Sequence, residues 1–101
     1  MWLFAMFDLP VETKEDRKEY TVFRKKLQKN GFIMLQYSVY ARYCASEEVA
    51  VTYRRRVRGA LPPGGQVRVV AITDHQFGKM EIYNRRKRGA PEGEPAQLLL
   101  F

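Results

Sequence analysis

Six apolar residues, WLFAMF at positions 2–7, run without a polar interruption into a single carboxylate at Asp8, and Pro10 closes the stretch. An ionised aspartate is costly to bury unpaired, so a strand that is apolar to its last residue has to present that acid to water, a cation or a basic partner. Two chemistries are open to it. Asp8 can accept hydrogen bonds from backbone amides at the strand end, or it can ligate a hard divalent cation that keeps water and phosphate oxygens as its other ligands. The nearby acids Glu12, Glu15 and Asp16 are assigned to a helix start rather than to catalysis, because Thr13 followed by Asp16 has capping-box spacing.

The remaining candidates are cationic groups that could bind phosphate. Arg54, Arg55, Arg56 and Arg58 crowd one helical segment with no acid in helical reach after Glu48, and Arg85, Arg86, Lys87 and Arg88 form a second basic run. Arg17 and Arg24 lie two turns apart beside an apolar stripe. Arg42 shares a strand face with Tyr40, which would set a phosphate or base donor beside a stacking group. Each has a plainer counterpart: a solvated helix face for the runs, flank arginines for Arg17 and Arg24, and an aromatic–arginine packing pair for Arg42. Cys44 and His75 are single residues of their type, which excludes an internal disulfide and a Cys/His zinc site within one chain. Cys44 reads as a buried small residue and His75 as a turn residue.

These groups require a particular order of elements. Residues 2–10 form a strand buried on both faces. A helix over 14–29 follows, with Tyr20, Phe23 and Leu27 as its core stripe and Asn30-Gly31 as its stop. Residues 32–44 are too long for one ordinary strand and divide into two that meet near Gln36 and Tyr37; in the second, Val39, Ala41 and Tyr43 make an apolar face and Ser38, Tyr40, Arg42 and Cys44 a mixed one. Ser46 starts a second helix with the stripe Val49, Tyr53, Val57 and Leu61, ended by PPGG at 62–65. Residues 66–73 read as a central strand apolar on both faces, and residues 79–84 as a last short strand.

The chain has 101 residues, 46% of them apolar, which suits one modest core. Its net charge of +7 is uneven: residues 51–101 hold ten basic and four acidic side chains, against eight and seven before them. That asymmetry favours a polyanionic partner, and nucleic acid before membrane, because no segment joins the charge to a long apolar helical face. No stretch approaches membrane-spanning length and the apolar start lacks a signal peptide's basic region, so a cytoplasmic protein is expected. Residues 1–84 are expected to be one domain, and residues 85–101 a basic linker with an apolar docking tip, QLLLF.

The order β-α-β-β-α-β with a late strand predicts an α+β, ferredoxin-like sandwich with both helices on one side of an antiparallel sheet. The uncovered face should be sealed by a second copy, making a homodimer, and two copies of Asp8 near its axis could hold Mg2+. The segments FDLP, YTVFRKKLQKNGF and LQYSVYAR resemble the small CRISPR-associated dimeric nuclease subunit of spacer acquisition, in particular the form that accompanies type II systems. The resemblance covers residues 1–84. It implies that the aspartate ending the first strand, here Asp8, binds the metal used in phosphodiester cleavage by an endonuclease acting on RNA or DNA. It also implies a partner integrase and a dimeric scaffold for duplex DNA, with single-stranded RNA as another substrate. Three other readings stand beside it. An RNA-recognition module shares the element order, but SVYARYC lacks that module's third-strand signature. A toxin-type ribonuclease of the same fold and a dimer that holds nucleic acid without catalysis remain open.

Overall fold

The computed structural model describes residues 1–85. Its elements are β1 (Trp2–Asp8), α1 (Lys14–Lys29), β2 (Ile33–Gln36), β3 (Val39–Tyr43), α2 (Glu47–Gly59), β4 (Gln66–Ile72) and α3 (Asp74–Gly78). The two long helices begin where side chains can satisfy their orphan amides. The Thr13 hydroxyl accepts the Asp16 N–H at 2.9 Å while the Asp16 carboxylate accepts the Thr13 N–H at 3.3 Å, the capping box expected of this spacing. At α2 the Ser46 hydroxyl accepts the Val49 N–H at 3.2 Å. Phe23 and Leu27 of α1 and Ala50 and Val57 of α2 are buried.

The strands form one antiparallel sheet in the order β2-β3-β1-β4. This is the expected ferredoxin-like α+β arrangement. Leu3, Ala5 and Phe7 of β1 are buried and join Phe23, Leu27, Tyr40, Ala50 and Val57 in one core, so both helices cover the same face. The alternate residues Trp2, Phe4, Met6 and Asp8 belong to the other face, with Val39, Ala41 and Tyr43 of β3 and Gln66, Arg68, Val70 and Ile72 of β4.

Four expectations change here. The mixed face of β3 is the one turned into the core, where Tyr40 is fully buried; a helical layer can bury a tyrosine and an arginine stem, so polarity alone misplaced the face. β4 is an edge strand, not a central one, and Gln66 and Arg68 make its outer face part polar. Helix α2 stops at Gly59, leaving Leu61 outside it and exposed. Finally, residues 79–84 do not form a strand within the protomer. Thr73 and Gln76 make a second capping box, which turns the chain into α3, and residues 80–85 follow without strand pairing. His75 therefore lies in a short helix. Phe77 of α3 stacks on Trp2 at 4.1 Å between ring centroids and meets Phe4 edge-on at 6.0 Å, so the chain itself covers one end of the outer sheet face.

Candidate functional site

Parity alone decides where Asp8 points. Odd-numbered positions of β1 enter the core, so the even-numbered Asp8 ends the strand on the outer face, exposed, opposite Gln66 of β4. The backbone then turns sharply. Leu9 tucks back into the core, and Gly65 packs so closely that a Cβ there would lie 2.5 Å from the Asp8 carbonyl oxygen. Gly65 has φ +83°, a conformation open to glycine, and this lets the loop after α2 press against the end of β1 and hold Asp8 at the sheet margin. The Asp8 carboxylate makes no hydrogen bond or ion pair among the described residues. Those residues also contain no group of three or more His, Cys, Asp or Glu side chains able to hold a metal. An exposed, unengaged carboxylate fits a hard cation whose remaining ligands are water and phosphate, and does not fit a closed site built by one protomer.

The arginines divide by what already holds them. Arg17 donates to the carbonyls of Val11 and Glu12, both at 3.2 Å, and so braces the loop leaving Asp8. Arg24 is half-buried on α1 and has no hydrogen bond or ion pair among the described residues. Arg42 is already engaged within the protomer: its guanidinium lies 3.8 Å from the Tyr53 ring centroid, one of its N–H groups donates to the Tyr43 carbonyl, and its Nε is buried without a partner. The packing pair is what forms, because β3 turns this side chain beneath α2. Arg56 donates to Asn30 at 3.0 Å and also lies over Tyr53, fastening α2 to the end of α1. Arg55 and Arg58 are exposed. Arg54 and Arg58 border a groove of about 250 Å3 with Val57, Leu61, Val67 and Val69, along the free edge of β4. Arg85 is exposed at the end of the described chain; Arg86, Lys87, Arg88 and the QLLLF tip lie outside the described residues.

Two features of the site were not singled out from the sequence. Arg68 stands on the outer face opposite Met6, one diagonal step from Asp8, without an ion pair to it. The alternation Gln66-Val67-Arg68-Val69 carries that signal, but the run of valines reads more strongly as a buried strand. The second is not the turn itself, which falls at Tyr37 and Ser38 beside the expected meeting point of the two strands, but its conformation: Ser38 has φ 64°. A serine is no marker of a left-handed conformation in a sequence, so nothing there announces it.

The cysteine is a structural residue. Cys44 is fully buried, and burial pushes its thiol above the ordinary range against the opposing charge of Arg42.

Comparison with known proteins identifies a family and a matching fold. Residues 1–80 match the family model described as CRISPR associated protein Cas2. A protein of Parvibaculum lavamentivorans named CRISPR-associated endoribonuclease Cas2 is 48% identical over 101 residues, covering all of both chains. One of the same name from Flavobacterium psychrophilum is 45% identical over 101 residues, all of this chain and 88% of its own. In structure, the fold matches Streptococcus pyogenes Cas2 crystallised at pH 6.5 with a TM-score of 0.62 at 18% identity, covering 81% of this chain and 98% of that one.

Proposed function

This chain belongs to the CRISPR-associated Cas2 family, and from that membership we propose that it is a metal-dependent endonuclease whose homodimer also scaffolds duplex DNA beside a CRISPR-associated integrase during spacer acquisition. The observation that carries the catalytic part is Asp8, an exposed carboxylate with no protein partner among the described residues, set at a strand end by parity on one side and Gly65 on the other. The relatives' name supports RNA phosphodiester cleavage, and the charge supports nucleic acid of either kind.

One carboxylate per protomer is too few for a confined metal, so two copies of Asp8 would act together across the dimer axis. Mg2+ bound there supplies a more acidic water and positive charge against the scissile phosphate. The chain's own residues do the rest. Arg17 fixes the loop that follows Asp8, and Arg68 offers a guanidinium on the same face where charge builds on the phosphate. Dimerisation would use the outer sheet face beyond the reach of Phe77, where Val70 and Ile33 remain 42% and 54% exposed. Duplex DNA would be held by Arg54, Arg55 and Arg58, with residues 85–88 extending the positive surface and the apolar tip docking on a sheet edge of the second copy or the integrase. The cytoplasm is where such a partner and substrate meet.

The test is cleavage of single-stranded RNA and duplex DNA by the parent and by Asp8→Asn, each with Mg2+ and with EDTA. Cleavage should require Mg2+ and Asp8, while binding of DNA and of purified integrase survives in the Asn variant. Undiminished or EDTA-resistant cleavage by Asp8→Asn removes Asp8 from the chemistry. That no cluster of three or more His, Cys, Asp or Glu side chains forms among the described residues favours a second reading, a scaffold without catalysis; absence of cleavage by either protein, with DNA binding intact, would select it.

A further inference from the structure

Every charged or amide side chain that β1, β3 and β4 place on the outer face stands in one corner of it. That corner is Asp8, Gln66 and Arg68, while the other outward positions, from Trp2, Phe4 and Met6 to Val70 and Ile72, are apolar or aromatic. Asp8 and Gln66 stand directly opposite one another, and Arg68 takes the diagonal position across from Met6. Opposed residues on one face have Cβ atoms about 4.5–5.5 Å apart, near enough for both side chains to touch one small group. All three are exposed, and none has a hydrogen bond or ion pair among the described residues. The position of Gln66 is also fixed. It follows Gly65, whose backbone at φ +83° lies so close to β1 that a Cβ would meet the Asp8 carbonyl oxygen at 2.5 Å. Strand alternation then turns Gln66 outward, since Val67 and Val69 pack against the core.

The three side chains differ in what they can bind. Arg68 has only donors and suits phosphate oxygens, which only accept, whereas ionised Asp8 has only acceptors. Gln66 offers an N–H donor and a carbonyl acceptor together, the complement of a hydroxyl, which also does both. Beside the phosphate of an RNA strand one such group stands, the 2′-hydroxyl of the ribose on its 5′ side, and DNA lacks it. Residues two apart on a strand face are about 6–7 Å apart, the scale of one sugar–phosphate unit. We propose that Gln66 is a specificity-determining residue of the Asp8 site, its carboxamide receiving the ribose 2′-hydroxyl next to the phosphate held by Arg68, so that the site favours RNA over DNA. This rests on the nuclease reading of Asp8 and adds the residue that distinguishes the sugar. Duplex binding by α2 does not depend on this corner, because α2 covers the opposite face of the sheet.

The experiment measures binding and cleavage separately, so that failure of the Asp8 chemistry and failure of the Gln66 contact are distinguishable. In EDTA, anisotropy titrations compare a fluorescent single-stranded RNA with the DNA of the same sequence, for the parent and for Gln66→Leu. The variant should bind RNA roughly fivefold more weakly and DNA within about twofold of the parent, so the RNA-to-DNA affinity ratio falls. With Mg2+, cleavage of the RNA is compared with that of a strand carrying a single deoxyribose on the 5′ side of the cut bond. The parent should lose roughly tenfold in kcat/KM on the deoxy strand, and Gln66→Leu should treat the two strands alike. Gln66→Ala, which adds no apolar bulk, should behave as Gln66→Leu does, and thermal unfolding of both confirms that the exposed position tolerates the change. An RNA-to-DNA ratio in the folded variants equal to the parent's overturns the proposal, and so does discrimination against the deoxyribose that survives in them. No cleavage by the parent, with the binding ratio still falling in Gln66→Leu, would remove the nuclease reading and support the Gln66 contact.

Discussion

Gly65→Ala should damage this protein out of proportion to the one methyl group it adds. The residue has φ +83°, and a Cβ built there lies 2.5 Å from the Asp8 carbonyl oxygen, 2.7 Å from Leu9 Cδ2 and 2.9 Å from Leu9 Cα. Holding alanine in the left-handed region costs about 1–2 kcal/mol. Relief of the overlap costs about 1–3 kcal/mol more, because two of the three obstructing atoms are backbone and cannot rotate away. A combined loss of about 2–5 kcal/mol is a large share of the roughly 5–15 kcal/mol that holds a domain of this kind together. At about 4–8 °C of Tm per kcal/mol, the melting point should fall by at least about 8 °C. The neighbouring residue provides the control. A Cβ on Gly64 meets only Pro10, at an ordinary 3.6 Å, so Gly64→Ala should be neutral or stabilising by up to about 1 kcal/mol through a less disordered unfolded chain. Thermal and urea unfolding of both variants at one fixed protein concentration would compare them without mixing in self-association. Where Gly65→Ala still folds at low temperature, the cleavage proposed for Asp8 should fall further than the folded fraction explains, because the strain falls on the carbonyl of Asp8 itself. A Tm within about 2 °C of the parent would refute the assignment of Gly65 as the residue that fixes the end of β1.

Arg42→Ala should lower stability by about 1–2 kcal/mol in urea, through lost packing and the contact with Tyr53, while leaving the salt dependence of DNA binding unchanged. A slope reduced by about one would return Arg42 to the phosphate contacts. Changing Arg54, Arg55 and Arg58 to Gln should weaken duplex binding and lower the magnitude of the log-log salt slope by about 0.9 for each phosphate contact removed. Arg56→Gln should have a smaller effect, since Asn30 and Tyr53 already engage its guanidinium; salt titrations by anisotropy would separate them, and an unmoved slope in the triple variant would make the patch a solvated face.

Local signals were enough for the first six elements and for the place of Asp8 at the end of a strand. Caps at Thr13 and Ser46, the stripe Phe23 and Leu27, and an apolar run ending in an acid are short-range statements, and each stands in the structure where the residues place it. The family resemblance was equally legible, in FDLP and LQYSVYAR, because those segments are contiguous. What the chain could not reveal by itself was which side of each strand the helices would choose. That choice is made by α1 and α2 together, and it buried Tyr40 and half-buried Arg42 while turning Val39 and Tyr43 outward. The same holds for β4, whose valines look central but which has a neighbour on one side only. Residues 73–76 carry a capping box that reads in the sequence as the strand end and turn after residue 72, and it is the stacking of Phe77 on Trp2, far apart in sequence, that packs the resulting helix against the sheet. Asp8 standing opposite Gln66, one diagonal step from Arg68, is likewise a matter of register. A period of two tells which residues share a face, whereas which residues stand opposite depends on how two strands slide before their turns and hydrogen bonds fix them.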